Sequence, residues 1–270
     1  MRIGAHVESG DPLAEAAARK ADVVQFFLTD PQGFKAPKPR EDAKELLASD
    51  VQIFIHSPYL VNVATTNNRV RIPSRKLMQQ HAEAAAAIGA TGLIVHGGHL
   101  DDGEDLAIGI DNWRKALQQH KDTGVQILIE NTAGGNNAVV RRFEDLARLW
   151  DVVGEFGVGF CLDTCHAYAG GEELLNIVDR VKAITGRIDL VHANGSRDPF
   201  DSRRDRHDNL IPAHRPPNPQ PQLLGKDEPG MIDPKLVAAV VRAAEAPAVV
   251  ETPGGAEGQA ADIAYLRENL

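Results

Sequence analysis

A chain of 270 residues with 43% hydrophobic and 25% charged residues can bury a large core, which excludes a wholly disordered protein. The formal net charge of -9 argues against a protein that binds nucleic acid over its whole surface, because such proteins carry basic faces. The first residues lack a signal-peptide pattern, and no uncharged apolar run reaches the roughly 20 residues that span a bilayer, so we expect a cytoplasmic protein without a membrane partner.

Eight short apolar runs alternate with longer amphipathic stretches along the chain. The predicted strands are residues 2–7, 23–28, 52–57, 92–97, 126–131, 158–163, 189–194 and 248–253. The predicted helices are residues 12–20, 74–89, 109–121, 142–153, 172–185, 233–245 and 258–269. Strands that are apolar throughout are typical of a parallel sheet covered by helices. Eight of them predict the α/β class and a single-domain (β/α)8 TIM barrel over residues 1–270, with a doubly wound open sheet as the alternative.

Two long connections interrupt this alternation, at residues 60–73 and 195–231. The second contains a proline-rich insertion at residues 211–230, interpreted either as a lid or as a tolerated flexible insertion. Neither GxGxxG nor GxxxxGK[ST] occurs in the chain, so the sequence predicts no nucleotide cofactor.

Ionisable side chains stand at the ends of seven predicted strands. The carboxyl ends of barrel strands meet at one face, where TIM-barrel enzymes build their active sites. Burying so many charges together is costly unless they are paired or bound to metal, and a mixture of imidazoles and carboxylates favours zinc. These residues are His6, His56, His96, Glu130, Asp163, His192 and Glu251.

Two further pairs of residues carry ligand-type side chains at short spacing. Asp163 and His166 lie about one turn apart in DTCH, although Asp163 could instead cap the helix that follows. Asp205 and His207 alternate in DRH, within the long connection after the seventh strand, and could aim both side chains at one ion.

The remaining histidines are expected to have other roles. His6 is predicted to line the barrel mouth and to orient a ligand or a water. His99 is expected to support a ligand or to face solvent, and His81 and His120 are expected on helix surfaces.

Seven motifs together resemble those of the endonuclease IV family of apurinic/apyrimidinic endonucleases. In chain order they are HSPYLVN, IVHGGH, IENTAGG, CLDTCHAYAGG, HANGSRD, DRHDNL and VVETP. The resemblance implies a barrel that carries three zinc ions. It also implies hydrolysis of double-stranded DNA on the 5′ side of abasic sites, leaving a 3′-hydroxyl, in base-excision repair.

The same resemblance implies a ligand set. The first zinc would be held by His56, His96 and Glu130. The second would share Glu130 and be completed by Asp163, His192 and Glu251. The third and most open site, where Mn²⁺ is also possible, would consist of His166, Asp205 and His207. The expected catalytic residues are Glu130, Glu251 and Asp163, with Glu251 orienting or deprotonating the attacking water.

Polar and basic residues on the loops of the same face are expected to contact the DNA backbone. The candidates are Gln32, Tyr59, Leu60, Asn62, Arg69, Arg71, Arg204 and Arg206. The match to the family departs at Gly33, where a larger polar side chain is usual, and at Gly195, where an acid is usual. The substrate-facing loops therefore differ more from the family pattern than the ligand set does.

Two other functions stay open. A metal-dependent sugar isomerase or epimerase of the same barrel superfamily would use one or two metals and would not need Asp205 and His207. A non-catalytic zinc-dependent binder of damaged DNA would keep the ligands without turnover. Whichever of the three functions applies, we expect the protein to be a monomer.

Overall fold

The computed structural model describes residues 1–135, 137–214 and 232–270. Of the proline-rich insertion predicted at residues 211–230, only 211–214 belong to the described part, and they include a 3₁₀ turn at Pro212–His214. The rest of the insertion lies outside the described residues, so its role stays a prediction.

Eight parallel strands close into a barrel. They are β1 (Ile3–His6), β2 (Val23–Phe27), β3 (Gln52–His56), β4 (Gly92–His96), β6 (Gln126–Glu130), β8 (Gly159–Asp163), β9 (Leu190–His192) and β12 (Ala248–Val250). Their order around the barrel is β1-β12-β9-β8-β6-β4-β3-β2. The predicted (β/α)8 barrel is confirmed, because β1 pairs with both β2 and β12 and so closes the sheet.

Two short antiparallel ladders lie outside the barrel sheet. One pairs β5 (His99–Leu100) with β7 (Asn137–Ala138), and the other pairs β10 (Gly195–Ser196) with β11 (His207–Asp208).

Helices follow the strands and cover the outside of the barrel. They are α1 (Pro12–Arg19), α2 (Ala43–Ala48), α3 (Asn68–Ala86), α4 (Leu106–Gln119), α5 (Phe143–Val153), α6 (Thr164–Ala169), α7 (Ile177–Thr185), α8 (Pro234–Ala244) and α9 (Gly255–Glu268).

The long connection predicted at residues 60–73 is shorter than expected. Helix α3 begins at Asn68, because the side chain of Asn67 accepts a hydrogen bond from the backbone N–H of Arg69 at 3.0 Å and caps the helix. Pro73, which the prediction treated as a boundary, lies inside the helix. Because proline lacks an N–H, the intrahelical hydrogen bond from position 73 to the carbonyl of Arg69 is absent.

Each barrel strand presents alternate residues to the helices and to the barrel interior. The outward positions, such as Val24, Phe26 and Ile55, belong to the large core shared with the helices. The inward positions form a separate apolar cluster inside the barrel, consisting of Val23, Phe54, Ile94, Leu128, Cys161, Leu190 and Val249. Burial on both faces explains why the strands read as continuous apolar runs in the sequence.

A polar layer lies directly on this apolar cluster. Because side chains two residues apart on a strand share a face, each inward apolar residue is followed by a residue that points into the barrel mouth. These residues are Gln25, His56, His96, Glu130, Asp163, His192 and Glu251. In β1 the equivalent positions are Gly4 and His6. The alternation that builds the core therefore also gathers the polar strand ends in one place.

Gly4 provides a test of this close strand packing. A Cβ atom added to Gly4 would overlap the backbone carbonyl oxygen of Val23 on the neighbouring strand, which a rotamer change cannot relieve. We expect Gly4→Ala to lower the free energy of unfolding by about 3 kcal/mol, at the upper end of overpacking effects, in urea denaturation. The control is Gly10→Ala, since nothing lies within 4 Å of a Cβ added there. Equal stabilities of the two variants would contradict this account.

Candidate functional site

Glu130 lies fully buried at the centre of the barrel mouth, and its two oxygens face different imidazoles. Its Oε2 atom is 3.1 Å from His56 Nε2 and 3.2 Å from His96 Nε2. Its Oε1 atom is 3.0 Å from His192 Nδ1 and 3.2 Å from His166 Nδ1. One carboxylate therefore connects the two sides of the site.

Ligand-type side chains gather here in groups whose ligand atoms all lie within 4.8 Å of one another. The first group is His56, His96 and Glu130. The second is Glu130, Asp163, His192 and Glu251. The third is His166, Asp205 and His207. The structure thus brings together all nine expected ligands, in the same three sets that the sequence resemblance implies. A further group adds the buried thiol of Cys165 to Asp163 and His207.

The third group has a feature that fits a cation. His166 Nε2 and His207 Nε2 are buried and have no hydrogen-bond partner, although an Asp205 oxygen lies 3.1 Å from each. Imidazole and carboxylate donors in groups of three and four are the set that zinc prefers in proteins. The residues of the site therefore fit divalent cations.

Backbone carbonyls orient three of the imidazoles. His56 Nδ1 bonds the Ser57 carbonyl at 2.7 Å, and His166 Nδ1 bonds the Asn131 carbonyl at 2.9 Å. His207 Nδ1 bonds the Glu251 carbonyl at 3.4 Å. Because a carbonyl oxygen only accepts, each Nδ1 carries a proton, so each ring, when neutral, would offer the lone pair of Nε2 to the site.

Asp163 both caps a helix and faces the site. Its Oδ1 atom accepts from the backbone N–H of His166 at 2.6 Å and starts helix α6. Its Oδ2 atom accepts from Asn194 Nδ2 at 2.7 Å and lies 3.6 Å from His207 Nε2. The helix cap that the sequence offered for Asp163 is therefore observed, and the same carboxylate also faces the site, where its role as a metal ligand stays a prediction.

Opposite charges in the site offset the cost of burying the ionised side chains. Burial raises the pKa of Asp163. Burial alone would also raise the pKa values of Glu130 and Glu251, but the neighbouring imidazoles, His192 foremost, outweigh it and hold both well below their ordinary range. Burial alone would lower the pKa of His207, yet Asp205 and the other nearby carboxylates raise it to about 9. Protons and divalent cations would therefore compete for the same imidazole nitrogens.

Some of the expected DNA-contacting residues have exposed side chains, and the others are held by hydrogen bonds within the chain. Tyr59 is 53% exposed and Leu60 is 40% exposed, beside the mouth. The ring of Tyr59 stacks on that of His96, with centroids 6.0 Å apart. Gln32 is also exposed, and the backbone N–H of Tyr59 bonds the Pro31 carbonyl at 2.9 Å, which joins the loops after β2 and β3.

Asn62 and two of the four arginines are held by contacts within the chain. The amide of Asn62 is buried and donates to the His99 carbonyl at 2.9 Å. Arg71 donates to the carbonyls of Thr65 and Thr66, and Arg206 forms a two-bond pair with the carboxylate of Asp198.

Arg69 and Arg204 are the exposed arginines of the set. Arg69 and Arg71 belong to the first turn of α3 and not to a loop, as a consequence of the early start of that helix.

The other histidines differ partly from expectation. His6 lines the cavity of the mouth, as predicted, and His99 is exposed. The prediction that His81 lies on a helix surface is wrong, because it is fully buried and bonds the Leu77 carbonyl at 3.0 Å. It lies on the inward face of α3, 3.3 Å from the hydroxyl of Thr29. His120 follows the end of α4 and is half-buried.

Sequence reasoning missed three buried amides that hold the ligands. Asn194 donates to Asp163, and its Oδ1 atom accepts from the backbone N–H of Glu251 at 2.8 Å. Asn131 bonds both the backbone N–H and the carbonyl of Asp163. Gln25 contacts Glu251 and other site residues from within β2. The available signal was an amide in, or directly after, a strand that is otherwise apolar, since such a group must find partners when buried.

Comparisons with known proteins agree with this fold. A model of the xylose isomerase-like TIM barrel family matches residues 13–269. The chain is 55% identical over 270 residues to a Mycobacterium marinum protein named probable endonuclease 4, covering 100% of this chain and 99% of the relative. A Mycobacterium tuberculosis protein of the same name is 54% identical over 268 residues, covering 99% and 98%.

Solved structures also share the barrel fold. Endonuclease IV from Thermus thermophilus has a TM-score of 0.78 at 27% identity, covering 99% of this chain and 98% of that one. A D-tagatose 3-epimerase-like protein, with a TM-score of 0.75 at 17% identity, covers 100% and 97% and shares the fold alone. The barrel and its histidine and carboxylate groups thus define a member of the xylose isomerase-like TIM barrel family. Within it, the chain belongs to the endonuclease IV family.

None of the helices in the described part of the chain combines the length and the apolar character needed to cross a membrane.

Asp198 is expected to hold the third group in position. It is buried, and it pairs with Arg206, which stands between Asp205 and His207 in the chain. Asp198→Ala should lower the free energy of unfolding by roughly 1–3 kcal/mol, because it leaves Arg206 without its charged partner. It should also weaken metal binding, measured as ions retained per chain after gel filtration. Asp111→Ala, which removes an exposed pair with Arg114 and Lys115, is the control and should cost about 1 kcal/mol or less. Retention of metal equal to that of the control would contradict the positioning role.

The raised imidazole pKa values predict an unusual pH dependence for the metal-free protein. His207 has a pKa of about 9 in the fold against 6.5 ordinarily, so its stabilisation is complete below pH 6.5 and is lost as the pH rises through about 9. His166 and His192, whose pKa values are also raised, contribute with the same sign. Urea denaturation in EDTA should therefore give a free energy of unfolding that falls between pH 6.5 and 9. With zinc the fall should shrink or reverse, because the cation binds the deprotonated rings. A metal-free stability that stays level or rises over this interval would contradict the account.

Proposed function

We propose that this protein is a monomeric, cytoplasmic, zinc-dependent endonuclease that hydrolyses double-stranded DNA on the 5′ side of abasic sites and leaves a 3′-hydroxyl, in base-excision repair. The observation that carries the proposal is the set of three adjoining ligand groups, two of which share Glu130. The relatives from two Mycobacterium species, named probable endonuclease 4, support the same conclusion.

Three zinc ions per chain would occupy the three groups, and the third group, which contains the half-exposed Asp205, could also take Mn²⁺. When bound, the ions would supply positive charge to a phosphate and lower the pKa of a water molecule. The nine ligands include four carboxylates, so three divalent ions leave a net positive charge toward a phosphodiester. This local charge answers the objection that a net charge of -9 disfavours DNA binding.

The chain's own groups would position the reactants. Glu251 is slightly exposed at the mouth, and neighbouring imidazoles hold the pKa of its carboxyl low. It therefore stays ionised and can orient a water by accepting a hydrogen bond from it. Glu130 and Asp163 are fully buried and are fixed by imidazoles and amides, which suits ligands that must not move during the reaction.

DNA would bind across the mouth through the exposed members of the predicted set. Tyr59 and Leu60 present apolar surface at the rim, which could fill the space left by a missing base. Gln32, Arg69 and Arg204 are the exposed polar candidates for phosphate contacts. Asn62, Arg71 and Arg206 would act indirectly, by holding the loops that carry these residues.

Incision of a labelled duplex that contains one abasic-site analogue tests the proposal. We expect a single nick on the 5′ side of the analogue, a 3′-hydroxyl that a polymerase can extend, and about three metal ions per chain by mass spectrometry. Incubation with EDTA should abolish nicking, and added zinc should restore it.

Glu130→Ala should lower kcat/KM by at least about 100-fold, because it removes a ligand shared by two groups. The control is Glu155→Ala, an exposed carboxylate in the 3₁₀ turn after α5, which should leave nicking unchanged. Binding of the abasic duplex without nicking would indicate a damage-binding protein. If the protein neither binds nor nicks the abasic duplex, the proposal is overturned, and sugar isomerisation or epimerisation becomes the function to test.

A further inference from the structure

Gln25 is a fully buried amide in the middle of β2, among the ligands but outside the expected set. Its Nε2 atom donates to Glu251 Oε1 at 2.6 Å and lies 2.9 Å from His6 Nδ1. Its Oε1 atom lies 2.7 Å from His192 Nε2. One side chain therefore uses both ends of its amide on three groups of the site.

The chemistry of the partners fixes the direction of each bond. An ionised carboxylate only accepts, so the NH₂ end of Gln25 must face Glu251. The carbonyl end then faces His192, and His192 Nε2 must carry a proton to bond it. The second proton of the NH₂ group points toward His6 Nδ1, which also lies 3.4 Å from Glu251 Oε1.

The protonation of His192 Nε2 determines which atom faces the second ligand group. Its Nδ1 atom lies 3.0 Å from Glu130 Oε1, 3.3 Å from Glu251 Oε2 and 3.8 Å from Asp163 Oδ2. When His192 is neutral, the lone pair of Nδ1 is therefore directed at the three carboxylates of its group. The opposite tautomer would direct an N–H at the same place and exclude a cation.

His192 differs in this respect from three other imidazoles of the site. His56, His166 and His207 are each oriented by a backbone carbonyl, which a side-chain substitution does not remove. For His192 the orienting acceptor is the side chain of Gln25. The same amide also restrains Glu251, a second member of that group.

We propose that Gln25 is a positioning residue that sets the Nε2–H tautomer of His192 and the rotamer of Glu251, and so builds the second ligand group. The inference rests on the proposed function to the extent that this group holds a metal ion. It does not depend on which reaction the protein catalyses.

The test compares Gln25→Leu with the unchanged protein in its zinc-loaded form. Side-chain ¹⁵N–¹H spectra of the histidines, assigned with a His192→Ala variant, should give the Nε2–H tautomer for His192 in the unchanged protein and lose that single state in Gln25→Leu. Competition with a chelator should give an affinity for one of the ions that is about 10–100-fold weaker, the usual effect of losing an orienting partner. Under the proposed function, kcat should fall more than KM rises.

Gln25→Glu separates the two parts of the role and covers the case in which Gln25→Leu does not fold. It keeps an acceptor for His192, so the tautomer should persist, but it replaces the donor to Glu251 by an oxygen, so zinc affinity should still fall. Gln52→Leu, the same change at the opposite end of the neighbouring strand, is the control and should leave spectra and affinity unchanged.

An unchanged His192 tautomer together with unchanged zinc affinity in Gln25→Leu would overturn the inference. Unchanged affinity in Gln25→Glu would overturn the part that concerns Glu251. Both measurements are made without DNA. A protein that shows the predicted tautomer and affinity changes but does not nick abasic duplex would therefore contradict the proposed function and support the role of Gln25.

Discussion

The two-residue period of the strands in a closed parallel barrel is the constraint on which the rest of this structure depends. It directs Val23, Leu128 and Cys161 into the barrel and, two residues later, directs Gln25, Glu130 and Asp163 into the same space one layer higher. The apolar layer excludes water from below, and the polar layer is open only at the mouth. The low-dielectric floor strengthens every interaction between charges above it.

Such a layer is costly unless its charges are balanced, and the structure balances them by pairing and by fixed orientation. Glu130 faces imidazoles with both oxygens, while Asp163 is held by amides and by the start of a helix. Backbone carbonyls or a buried amide set the ring protons of four imidazoles, among them His192. The lone pairs that remain converge, so the arrangement that makes the layer tolerable also makes it suitable for divalent cations.

The side chains of the loops around the mouth do not form such a layer. Each of them either bonds the loop backbone or a neighbouring side chain, or remains exposed. Arg206 forms two hydrogen bonds to the buried Asp198 in the segment that carries Asp205 and His207. Arg204 also lies 3.7 Å from Asp198, but its side chain stays exposed. Asn62 is buried against the His99 backbone, whereas Tyr59 stands at the rim. The exposed side chains at the rim thus rest on neighbours whose polar groups are held by contacts within the chain.

The sequence by itself determined the barrel, the strand positions and the six ligand-type residues at strand ends, because apolar period and strand-end polarity are local patterns. Two short spacings pointed to His166, Asp205 and His207, and the family resemblance grouped all nine. The sequence also supplied the motifs that identify the family. Tertiary structure decided the burial of His81 and the contacts of Arg71, since each depends on a partner rather than on residue type. The early start of α3, by contrast, rests on the local cap by Asn67. Tertiary structure also decided the role of Gln25, whose partners Glu251 and His192 are 226 and 167 residues away in the chain. A pattern read along one strand cannot specify which side chains the closed barrel brings against it.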